Sequence, residues 1–153
     1  MIQRIQTLWL FLVFVMATLM MFFPIASFSS ENHDFILKIF SIESSKGIIG
    51  LPNPSIIGIL SAILSILAIG NIMQFKNRKL QIKINMIAML INIGLLLAIF
   101  FISDKIAALE NVSDIYKYEF GSYLPIVSVF LLVMANRSIR KDEALVKQSD
   151  RIR

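Results

Sequence analysis

Four apolar stretches alternate with charged or mixed segments along the chain. Residues 8–28, LWLFLVFVMATLMMFFPIASF, contain no ionisable side chain, and neither do 55–75, SIIGILSAILSILAIGNIMQF, nor 84–103 up to the final serine, INMIAMLINIGLLLAIFFIS. Each matches the roughly 20 apolar residues that carry a helix across a bilayer. The fourth stretch is weaker: its apolar run, 124–135, is short, and only the extension to 120–138 reaches spanning length. The pattern predicts an all-α membrane protein. It has one domain over 1–153, a four-transmembrane-helix bundle with spans at 8–28, 55–75, 84–103 and 120–138, and a helical tail over 139–153. The length of the first apolar run predicts an uncleaved anchor rather than a signal peptide, whose apolar region is shorter.

The polar segments between the spans set the expected orientation. Eleven Lys and Arg fall in the N-terminal flank, the 76–83 loop KNRKLQIK and the tail, against four in the other two loops; acids run the opposite way, three against seven. Basic residues in short flanks stay on the cytoplasmic side. Both termini are therefore expected in the cytoplasm, in a bacterial inner membrane. Arg137, Arg140, Lys141, Lys147, Arg151 and Arg153 would anchor the fourth span and meet anionic lipid or a cytoplasmic partner. Ile139, Val146 and Ile152 fall near one face of the tail helix, with Leu145 beside them, and Glu143 and Lys147 form a favourable i,i+4 pair.

Composition then removes function classes. The chain is 57% hydrophobic and 16% charged with net charge +5, and it has no cysteine. Disulfides, thiolate metal sites and cysteine nucleophiles are excluded. Acids interrupt the basic tail and no aromatics interleave with it, so nucleic acid is not an expected partner. No phosphate loop, nucleophile–base arrangement or pair of intramembrane carboxylates is present, so no enzyme, cofactor or metal is expected. Glu31, His33 and Asp34 in ENHD are a weak metal set, and the NVS at Asn111 is a sequon without meaning in this setting.

Small and polar residues mark where helices touch in lipid. Gly58, Ser61, Ala62 and Ser65 are small residues on the second span, and Asn85, Ala88 and Asn92 share one face of the third. A tight turn centred near Arg78 would set Asn71 level with Asn85, Ser65 with Asn92 and Gly94 with Ala62, a seam between these two helices. The same asparagines could instead line a polar path. Pro24 and Pro125, near the outer ends of their spans, are expected to kink those helices. In the first outer loop, FILKIFSI (35–42) and IIGL flank the turn ESSKG, which suggests a small β-hairpin or an interfacial segment. Asn53 and Pro54 suit the start of the second helix. In the second outer loop, Ile106 and Leu109 suit an interfacial helix and Tyr116, Tyr118, Phe120 and Tyr123 a membrane boundary.

The opening MIQRIQTLWL, the FFPIA that ends the first span, the loop KNRKLQIK and the tail ANRSIRKDEALVKQSDRIR resemble a small Bacteroidota membrane-protein family. That family is catalogued as domain of unknown function 4293, and the resemblance covers essentially the whole chain. It implies a four-helix inner-membrane protein and brings no activity, ligand or catalytic residue. The residues and the resemblance together lead to two expectations. The first is a non-catalytic accessory or scaffold subunit that associates with lipids and with another membrane protein or a second copy. The alternative is a small solute or lipid transporter or channel acting as an oligomer.

Overall fold

A computed structural model describes residues 3–29, 34–44, 52–75, 77–109 and 116–151. Four helices run through it: α1 (Gln3–Leu19), α2 (Ser55–Met73), α3 (Arg78–Leu109) and α4 (Phe120–Arg151). Buried positions recur at three- and four-residue steps on all four. Examples are Gln6, Leu10, Val13 and Ala17 on α1, and Gln81, Asn85, Ala88, Asn92, Leu95 and Ile99 on α3. That spacing is the narrow stripe of helices packed side by side in a bundle. The helices form a closed ring in which α1 meets α2 and α4, and α3 meets the same two. Among the described residues, three helices are long and apolar enough to cross a membrane: α2, α3 and Phe120–Val146 of α4.

The chain is not all-α. Four strands, β1 (Ala26–Ser29), β2 (Asp34–Leu37), β3 (Ile42–Ser44) and β4 (Tyr116–Tyr118), form an antiparallel sheet in the order β3-β2-β1-β4. It sits where α1 and α3 end and α2 and α4 begin. Along β2 the burial alternates, with Phe35 and Leu37 inside and Asp34 and Ile36 outside, the period of a half-buried strand. Phe28, Phe35, Leu37 and Ile39 form one core cluster with Ile99, Ile102 and Ile106 of α3. Thus α3 runs several turns past the other helices and carries the sheet on its inward face.

This sheet shortens the helix of the expected first span. The helix stops at Leu19, and the apolar residues that follow make a turn and then β1. At 1.5 Å per residue, α1 is about 25 Å long, short of the roughly 30 Å hydrocarbon core. Pro24 consequently kinks no helix; it lies between α1 and β1, and its carbonyl oxygen accepts from the Gly121 N–H at 2.9 Å. Pro125 lies inside α4 as expected. The hairpin in the first loop is also displaced. FILKIFSI is itself a hairpin, β2 turning into β3, closed by Lys38 N–H to Ser41 carbonyl at 2.8 Å and by a Lys38–Glu43 ion pair at 2.6 Å. The strand that joins it from the other side, β1, comes from the residues assigned to the first span. Most of ESSKG and IIGL, the first three residues of ENHD, Lys76, Asn111, Ile152 and Arg153 lie outside the described residues.

Two end signals behave as the sequence suggests. Asn53 Oδ1 accepts the Ser55 N–H at 3.0 Å just ahead of α2, though the cap position itself is Pro54, one residue later than expected. The tail is helical and continuous with the fourth apolar stretch, through to Arg151. Ile106 and Leu109 form no separate helix but belong to the last turns of α3.

Candidate functional site

The chemistry-bearing side chains of the bundle lie on its inner seams. Asn85 donates its Nδ2 to the Leu132 carbonyl and Asn92 to the Pro125 carbonyl, each at 3.0 Å. Both pairs are separated by one heptad on each helix, so the same contact repeats two turns apart along an antiparallel α3–α4 seam. Asparagine fits this task because its amide reaches a carbonyl that is already inside a helix and has a second lone pair to offer. Ser61 Oγ donates to the Ala17 carbonyl at 2.8 Å and ties α2 to α1. Ser65 donates to the Ser61 carbonyl of its own helix.

These partners correct the expected α2–α3 seam. The helices are joined at residues 74–77, and Gln81 Nε2 donates to the Asn71 carbonyl at 2.9 Å. The pairing of the two helices therefore centres about two residues before Arg78, and the register slips by about one helical turn. Asn71 comes level with Gln81 instead of Asn85. Asn85 and Asn92 look toward α4, so neither bonds Asn71 or Ser65. A Cβ on Gly94 would touch nothing within 4 Å, so Gly94 permits no close approach. Gly58 does: the Phe40 ring occupies the space its Cβ would need, which brings the β2–β3 turn against α2. Ala88 is buried with Val13, Leu64, Ala68 and Leu132, and Ala62 is half-buried.

The remaining seam residues were hidden at the edges of the apolar stretches. Gln6, Gln81 and Asp142 are buried, and Asn136 is half-buried. Their signal was the stripe itself, since Gln6 precedes Leu10 and Val13, and Gln81 precedes Asn85 and Ala88, at core spacing. The basic residues sort by face. Lys79, Lys83, Arg137, Arg140 and Lys141 are exposed, whereas Arg78 is half-buried and donates to the Asp142 carbonyl at 2.9 Å. Lys147 and Arg151 lie on α4, with their side chains outside the described residues. Leu145 and Val146 are exposed on the same helix, while Ile139 is fully buried. Among the described residues no group of three or more His, Asp or Glu could hold a metal ion.

At the opposite end, a pocket of about 270 Å³ opens between α3, α4 and β4, lined chiefly by Ile99, Phe100, Ile126, Tyr118, Ser122 and Tyr123. Its walls are apolar with a few hydroxyls.

Residues 2–152 match the model of a family described as a domain of unknown function (DUF4293), and the chain belongs to that family. No curated protein and no solved structure matches it.

Proposed function

We propose that this member of the DUF4293 family is a non-catalytic membrane protein, an accessory or scaffold subunit that works through lateral association. It would cross the inner membrane four times with both termini in the cytoplasm. The observation that carries this reading is the use made of the intramembrane amides. Asn85 and Asn92 each donate to a neighbouring helix's carbonyl, the role of helix glue. The basic flanks around Arg78 and along α4 support the orientation. For α1 to complete its crossing, the turn and β1 would finish what its 17 helical residues begin. The outer sheet, held on α3, would present a folded cap to the far side, and the exposed Leu145 and Val146 a face to the cytoplasm.

The test is co-purification in mild detergent from native membranes, with a tag at the N-terminus and masses read on intact complexes. A stoichiometric protein partner, lost on truncation after Arg140 or on disruption of the outer sheet, supports the subunit reading. A lone chain that carries only lipid overturns it. The pocket beside Tyr118 and Tyr123 favours a second reading, lipid handling, because an apolar slot rimmed by hydroxyls near a membrane boundary suits an acyl chain and its ester region.

A further inference from the structure

The four helices place a layer of amides at one depth near the inner end of the bundle. Between antiparallel neighbours, each residue up one helix is a residue down the other. Counting from Ala17–Ser61 brings Gln6 level with Asn71 within one residue, and Gln81 bonds Asn71 directly. Counting from Asn85–Leu132 brings Gln81 level with Asn136. Gln6, Asn71, Gln81 and Asn136, one from each helix, share a layer, with Asn85 one turn and Asn92 three turns deeper. Asp142 lies at the inner rim, about two turns beyond Asn136.

Their unmet hydrogen bonds are almost all of one kind. Gln6 Oε1, Asn71 Oδ1, Gln81 Oε1, Asn136 Oδ1, Asn85 Oδ1, Asn92 Oδ1 and both Asp142 carboxylate oxygens are buried with no protein partner, and Asn71 Nδ2 is the one nitrogen among them. Gln6, Asn71, Gln81, Asn85 and Asn92 are each at least 98% buried. Three of the amide orientations follow from chemistry. Gln81, Asn85 and Asn92 give their nitrogens to backbone carbonyls, so turning the amides over would set oxygen against oxygen. The fixed oxygens of Gln81, Asn85 and Asn92, with the Asp142 carboxylate, ask for a guest that brings positive charge or donors, because a buried unpaired oxygen is costly. Hard oxygen ligands suit alkali and alkaline-earth ions. Neutral amides with one carboxylate at the rim supply too little charge to strip a divalent ion of its water, which leaves the monovalent class.

We infer that the Gln6–Asn71–Gln81–Asn136 layer, with Asn85 above and Asp142 at its rim, is a binding site for a monovalent alkali cation entering from the inner end of the bundle.

The test is thermal unfolding of the full-length protein in detergent, in chloride salts of Li⁺, Na⁺, K⁺ or N-methylglucamine at constant ionic strength. A bound ion stabilises by mass action, so one alkali cation should raise Tm saturably, on the order of 5 °C over N-methylglucamine. Asn71→Leu and Asp142→Asn should flatten that dependence, whereas Ser65→Ala should leave it. Should Asn71→Leu fail to fold, the wild-type salt series and Asp142→Asn still decide the matter, with ²³Na or ⁸⁷Rb line broadening by the wild-type protein as a direct readout. Equal Tm in all four salts, or a rise that never saturates and is the same for every cation, would overturn the site and leave the layer to water.

Discussion

Gly121 is the position at which a single methyl group should do most harm. It is the second residue of α4, and its N–H donates to the Pro24 carbonyl at 2.9 Å. A Cβ built there would lie 2.5 Å from that same oxygen and 3.0 Å from the Phe23 carbonyl oxygen. Both obstacles are backbone, so no side chain can swing aside. Relief must come from separating α4 from the α1–β1 connection, which also holds Glu119 N–H to the Ile25 carbonyl at 2.9 Å and Ser27 Oγ to Glu119 Oε1 at 2.7 Å. Overpacking costs about 1–3 kcal/mol, and a lost backbone bond about 0.5–1.5 kcal/mol. Gly121→Ala should therefore destabilise by roughly 2–4 kcal/mol. Gly94→Ala and Gly70→Ala are the controls, because a Cβ at either meets nothing within 4 Å. They should be neutral, or stabilising by up to about 1 kcal/mol through helix propensity. Reversible unfolding in mixed dodecylmaltoside–SDS micelles, followed by circular dichroism, measures all three. If Gly121→Ala falls within about 0.5 kcal/mol of wild type, the close approach of α4 to Pro24 is wrong and the junction between sheet and bundle must be redrawn.

Further outcomes can be measured in the same system. Asn92→Ala and Asn85→Ala should each cost about 0.6 kcal/mol, and no more than about 1.7, while a double cycle of Asn92 with Ser65 shows no coupling; strong coupling would restore the α2–α3 seam. Ser61→Ala, which loses the bond to α1, should cost more than Ser65→Ala, whose hydroxyl returns to its own helix; equal effects would mean that the α1–α2 contact contributes nothing. Lys38→Ala should cost under about 1 kcal/mol, because both partners of its ion pair with Glu43 are largely in solvent. Since the chain has no cysteine, Ser41→Cys and Gln148→Cys report topology cleanly: an impermeant maleimide added to spheroplasts should label the first and reach the second only after permeabilisation, and the reverse would invert the orientation.

The sequence by itself determined what depends on composition and local period. Stretches such as 84–103 are apolar for long enough to be helices across a bilayer, and the 3–4 stripe through Asn85, Ala88 and Asn92 marks their inward face, because a helix brings those positions together whatever surrounds it. The continuous helix from Phe120 into the tail was legible for the same reason. What the sequence left open depends on partners far along the chain. Residues 20–28 are as apolar as a span, yet they leave the helix, because β1 finds β4 some ninety residues later and β2 beside it. No local preference for grease distinguishes a strand paired at such distance from the end of a helix. The α2–α3 register turned on where a short turn places its centre, a shift of one turn that sent Asn85 and Asn92 to α4. Gln6, Gln81, Asn136 and Asp142 lie at the edges of apolar stretches and carry no local mark of depth; helix registers set the first three at one depth and the fourth at the rim. Depth and partnership are properties of the closed ring of helices, and only its packing assigns them.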